Sequence, residues 1–136
     1  MRTFGIGKLL SVLLIAGALF SACGKLDNEV EAAQAEVTEF RRLVREGEFG
    51  RIHEQSSKAF RDSATLSQLE GFLSPLQKTI ADDPRSLVGW KAGVDRTHGY
   101  ILTLTFRATV ENRLPNEEFI FVKEGGRIRL VNYRIW

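Results

Sequence analysis

The sequence predicts an α+β domain in which helices lie on one face of a four-stranded antiparallel sheet. Two observations carry that reading. Between residues 28 and 82 apolar side chains recur every three or four positions, the period of one helix face. Beyond Pro84 the period becomes two, that of a half-buried strand, and Gly125-Gly126 marks a tight hairpin turn. Helices first and strands second give segregated layers rather than a parallel α/β sheet.

The chain opens with an address label. Arg2 and Lys8 make a positive start, and residues 9–20 form a twelve-residue, predominantly apolar run. A membrane helix needs about 20 such residues, whereas a run of this length fits the apolar region of a secretory signal. Phe20-Ser21-Ala22-Cys23 follows and resembles the lipobox of bacterial lipoproteins, with Phe20 in place of the usual aliphatic residue. The resemblance implies a diacylglycerol on the Cys23 thiol, cleavage before it, and acylation (palmitate or similar) of the new amine. An ordinary signal with an incidental thiol is the alternative. Cysteine arithmetic favours the lipid, because an exported chain with one cysteine has no internal disulfide partner. Two or three acyl chains anchor durably where one anchors only marginally. Gly24 stands where Asp would suggest inner-membrane retention, so the resemblance implies the periplasmic face of the outer membrane.

The expected organisation is a signal peptide over residues 1–22, a lipidated cysteine and short tether over 23–27, and one domain over 28–136. An extended tether of residues 24–27 reaches under roughly 20 Å, which keeps the domain close to its membrane. The 114 residues from Cys23 onward suffice for one hydrophobic core and not for two. Their 17 basic and 17 acidic side chains balance, so no nucleic-acid partner is expected. Charge is nonetheless segregated. Residues 23–84 carry 8 basic and 12 acidic side chains, and residues 85–136 carry 9 and 5. Complementarity between packed layers explains this simply. The sharper reading is a basic surface of Arg107, Arg127, Arg129 and Arg134 facing anionic head groups or an acidic envelope protein.

Element by element, Val30, Ala33, Val37, Phe40 and Val44 predict a helix over residues 28–46, stopped by Gly47. A shorter helix carries Phe49, Ile52 and Phe60. Thr65 reads as an N-cap with Gln68 completing a capping box, ahead of an apolar stripe of Leu66, Leu69, Phe72 and Leu73. Ser74-Pro75 either kinks that helix or starts a new turn with Ser74 as cap, and Asp82-Asp83-Pro84 closes the helical half. Strands follow over residues 86–95, 100–111, 119–123 and 127–136. Tyr100, Leu102, Leu104, Phe106, Ala108 and Val110 form the inward stripe of the second.

The motifs FRRLVREGEFGRIHEQSSKAFR, LSQLEGFLSPL and GRIRLVNYRIW occur in that order. With them the chain resembles the nuclear transport factor 2-like superfamily, specifically its small bacterial envelope members. The resemblance implies a cone in which a curved sheet wraps around helices, with a cystatin-like arrangement as the competing topology. Some relatives of that fold are isomerases or dehydratases that use buried Asp, His or Tyr facing a cavity.

Here the catalytic case is thin. His53 reads as a half-exposed surface histidine and His98 as a solvated turn tip. Asp62 and Asp95 read as caps, and Ser56-Ser57 lacks a nucleophile context. Two distant histidines and no cysteine beyond Cys23 give no metal-ligand set, and no cofactor is expected. Phe72, Trp90, Phe106, Phe121 and Tyr133 would line a ligand pocket in such a cone, although filling the core is the commoner use. The expected function is a membrane-anchored, non-enzymatic interaction module. A carrier or sensor of a small apolar ligand, or an isomerase-like enzyme, is the alternative.

Overall fold

A computed structural model describes the backbone of residues 7–82, 85–109 and 115–136, and the side chains of residues 24–79, 85–109 and 115–136. Five helices precede four strands: α1 (Gly7–Glu46), α2 (Phe49–Gln55), α3 (Lys58–Ser63), α4 (Leu66–Leu73), a 3₁₀ turn (Ser74–Leu76), α5 (Gln77–Asp82), β1 (Arg85–Asp95), β2 (Gly99–Ala108), β3 (Glu117–Glu124) and β4 (Arg127–Ile135). The strands form one antiparallel sheet in the order β1-β2-β3-β4, so the α+β class and the meander stand as read from the sequence. Val110, Glu111, Asp83 and Pro84 lie outside the described residues.

Helix α1 starts earlier than the expected position 28. It runs without interruption through residues 23–27, where no proline breaks it, although Gly24, Asp27 and Asn28 are residue types that favour helix ends. The expected extended tether is therefore helical, and the five steps from Cys23 to Asn28 at 1.5 Å each span about 7.5 Å where an extended chain would reach about 17–18 Å. No helix among the described residues is long and apolar enough to cross a membrane.

From Val30 onward α1 packs as its periodicity requires. Val30, Ala33, Val37, Phe40 and Val44 are buried, together with Leu43. Gly47, at φ 71°, ends the helix in the left-handed region that favours glycine. The expected second helix is two short ones, divided at Ser56-Ser57. Ser57 caps α3 by accepting the Phe60 N–H, and its own N–H donates to the Leu130 carbonyl of β4 at 2.9 Å. The Thr65–Gln68 capping box is formed at the start of α4. That helix has only eight residues and buries only Leu69 and Leu73, leaving Leu66 and Phe72 exposed. Ser74 is the C-cap of α4, its N–H donating to the Glu70 carbonyl, and does not cap the start of the 3₁₀ turn, which Leu73 precedes and in whose first positions Pro75 sits.

On the sheet, Leu102, Leu104 and Phe106 of β2, Phe119 and Phe121 of β3, and Leu130 and Tyr133 of β4 meet the helices in one core. Bulges interrupt the ladders at Leu87/Gly89 and at Ile120/Phe121. Gly125 and Gly126 both have positive φ, the requirement of a type I′ hairpin turn. Edge strand β1 is covered least. Leu87 packs on the core, but Val88, Trp90 and Val94 are exposed.

Candidate functional site

Two carboxylate clamps fasten α1 along the sheet, one at each end. At the first, Glu29 of α1 accepts from the Tyr100 hydroxyl at 2.6 Å and from Lys123 Nζ at 2.7 Å. Lys123 and Tyr100 hold the Glu29 carboxyl below the ordinary carboxylate range. Burial and the Glu29 charge push the Tyr100 phenol up to about 12. This clamp marks the end where α1 arrives and where both hairpins turn.

The opposite end is built around Glu117, at the start of β3. Its carboxylate is fully buried. It accepts from Arg41 Nη2 of α1 at 2.7 Å and from the Tyr133 hydroxyl at 2.7 Å, and lies 3.2 Å from Arg85 Nη1 of β1. Arg85 Nη1 also donates to the Pro115 carbonyl at 2.7 Å. The Arg41 guanidinium lies over the Phe106 ring at 4.7 Å, a cation–π contact that helps to carry a partly desolvated charge. Burial, reinforced by the neighbouring Glu117 charge, pushes the Tyr133 phenol far above its ordinary value, so its hydroxyl stays a donor. Four elements are tied at one carboxylate.

Tyr133 links that network to the surface. Its ring packs against Phe40 and Phe119, at 4.9 and 4.8 Å between centroids, and meets Phe72 edge-on at 6.1 Å. Phe72, Tyr133, Ile135 and Trp136, with Glu118 and Arg134 at the rim, line a groove of about 480 Å³. Through Phe72 and Tyr133 it continues into a second groove of about 210 Å³ floored by Phe60, Ala64 and Leu69. Phe72 is 47% and Trp136 56% exposed. Mutual backbone hydrogen bonds between Trp136 and Asn116 fix the end of β4.

The interior differs. Between α1, α2 and the sheet a gap of about 20 Å³ remains, lined by Phe40, Leu43, Ile52, Phe119, Phe121 and Leu130 among others. That is room for about one water, far below the 300–1,000 Å³ of a typical ligand pocket.

Of the aromatics considered from the sequence, the structure brings Phe72 and Tyr133 together in the surface groove. Phe121 and Phe106 lie in the core, and Trp90 stands apart on β1. The four arginines do not form one patch. Arg127 is exposed at the β3–β4 turn. Arg129 donates to the Gln55 carbonyl, Arg134 pairs with Glu118, and Arg107 is exposed at the far end of β2. His53 donates through Nε2 to the Ala64 carbonyl at 2.8 Å, and so staples α2 to the end of α3. Asp62 pairs with Lys58 rather than capping a helix. Asp95 accepts from the Thr97 and His98 N–H groups, as a turn residue does. The Cys23 side chain lies outside the described residues.

Glu117 and Arg85 escaped the sequence reading. The signal was present: Glu117, Phe119 and Phe121 continue one alternating face backward, which places an acid on the buried side. Among the described residues no group of three or more His, Cys, Asp or Glu side chains is placed to hold a metal. Compared with protein-family models, with curated proteins and with solved structures, the chain finds no match, and the groove must be read from its own residues.

Proposed function

We propose that this chain is a lipid-anchored envelope protein whose domain is a non-enzymatic interaction module, held through Cys23 and presenting the Phe72–Tyr133–Trp136 groove to a protein partner. One observation carries the reading. The interior gap is about 20 Å³, while two large aromatics stand exposed around a surface groove of about 480 Å³. Exposed aromatics around a shaped apolar surface are the usual anchors of protein recognition. A carrier would need the volume inside, and an enzyme would need a titratable group facing it. Glu117 is instead saturated by its own arginines and tyrosine.

The anchor and the groove lie at opposite ends. Lys123 at the near end is clamped to α1, and β4 then runs nine residues to the groove, about 26 Å at the usual rise per residue. A partner therefore meets the side of the domain that faces away from the membrane. Helices on one face of an antiparallel meander, led by a long first helix, also support the nuclear transport factor 2-like reading of the fold. The lipobox and Gly24 support lipidation and the outer membrane.

The test is photo-crosslinking in cells, with the reactive amino acid placed at position 72, 136 or 107 of the full chain. Adducts of one discrete mass from 72 and 136, and none from 107, are expected. The same labelling pattern at all three positions would remove the groove from the function.

A further inference from the structure

The β1–β2 hairpin offers a second surface with a different occupant. Val94 is 86% and Trp90 44% exposed, and both belong to the edge strand of the sheet. In the register of the pair Val94 stands opposite Tyr100 and Trp90 opposite Leu104, so both point to the helix-bearing side of the sheet. The helices do not cover them. Resting on the lipid-anchor reading above, we infer that this hairpin docks on the bilayer itself, with Val94 in the interface and Lys91 and Arg96 on anionic phospholipid.

Three observations on the page favour the membrane over another occupant. The first is position. Glu29 is bonded to Tyr100, and Cys23 lies six residues earlier in the same helix, about 9 Å along its axis. The turn from Asp95 to Gly99 projects past Tyr100 in the same direction, so the hairpin tip and the lipid site reach a similar level. The second is charge. Toward its turn the hairpin carries Lys91 and Arg96 against one acid, Asp95, whose carboxylate is occupied by the turn N–H groups. Lys91 and Arg96 are exposed, while on α1 between the clamp and Cys23 exposed Lys25 is balanced by exposed Asp27. Glu29 and Glu124 near this end accept from Lys123 and from the Lys58 N–H. The third is the residue types. An exposed aliphatic tip with a tryptophan behind it and cations beside it suits the interfacial zone of a bilayer.

The chain contains two tryptophans, which makes the test direct. The full lipidated chain is placed in vesicles of phosphatidylglycerol and phosphatidylcholine with brominated acyl chains. One variant carries Trp90→Phe, Trp136→Phe and Val94→Trp; a second carries Trp90→Phe alone and reports from position 136. Flotation with the vesicles is scored separately. Blue-shifted, strongly quenched emission at 94 and unshifted, unquenched emission at 136 are expected, with quenching at 94 falling when phosphatidylglycerol is omitted. A chain that floats but shows no quenching at 94 overturns the docking surface and leaves the lipid anchor standing. A chain that does not float removes the anchor and the docking together. Quenching at 94 that is undiminished without phosphatidylglycerol overturns the role given to Lys91 and Arg96.

Discussion

The two ends of the domain use the same chemistry in opposite surroundings. Each has a carboxylate that accepts from a tyrosine hydroxyl at 2.6 or 2.7 Å and from a cation at 2.7 Å. At the end where α1 arrives, Glu29 and Lys123 stay 15% and 40% exposed. At the far end Glu117 and Arg85 are fully enclosed, and a second arginine stands on the carboxylate. Geometry is nearly equal; dielectric is not. An exposed pair contributes about 0–1 kcal/mol and is screened by salt. Removing one member of a buried set leaves unpaired charge and costs about 3–5 kcal/mol. The groove is therefore built on the rigid end, and Cys23 lies beyond the yielding one.

The comparison can be broken most sharply at Glu117. Glu117→Ala leaves Arg41 and Arg85 without their carboxylate and should cost about 3–5 kcal/mol in chemical denaturation. A loss under about 1 kcal/mol would mean that the enclosed charges are solvated after all. Tyr133→Phe keeps the ring in the core and removes one donor to that carboxylate, for an expected loss of about 1.5–3 kcal/mol. Phe72→Ala should cost about 0.5–1.5 kcal/mol through its edge contact with Tyr133, while abolishing the crosslink from position 136. A lost crosslink in a chain that has also unfolded would not separate binding from stability, so circular dichroism accompanies that variant.

The exposed clamp should respond to solution conditions instead. Glu29→Gln is expected to cost under about 1 kcal/mol at low salt and less at high salt. The folded-state carboxyl of Glu29 is held below its ordinary value, chiefly by Lys123 and then by Tyr100. Its contribution is therefore complete above the ordinary carboxylate range and is lost as pH falls through the depressed folded value. Acid titration of stability in Glu29→Gln should lack that step. His53→Ala should cost about 1 kcal/mol for the bond to Ala64. The smallest effect belongs to His98, whose replacement by Ala should be neutral.

Local chemistry was legible in the sequence, and tertiary placement was not. The α1 face from Val30 to Val44, the Thr65–Gln68 capping box and the Gly125-Gly126 turn depend on neighbours a few residues away, and all are formed. Phe72 shows the limit. It falls on the same stripe as Leu69 and Leu73, yet two turns of helix bury only one edge of that stripe, and Phe72 is left beside Tyr133. Glu117 shows another. Beside a second glutamate and ahead of the expected strand it reads as solvated, and its burial is compensated by Arg41, 76 residues away in sequence, together with Arg85 and Tyr133. The groove itself joins α4 to the last residues of β4, a contact that no local period encodes.

The anchored-module reading depends first on what is attached at Cys23, and the most direct measurement is the intact mass of the chain extracted from membranes. The expected species begins at Cys23 and carries a diacylglyceryl thioether with an acylated amine; Cys23→Ser should shift the chain to an unprocessed or soluble form. A mature chain that starts elsewhere with a free Cys23 thiol, or that retains residues 1–22, would contradict it.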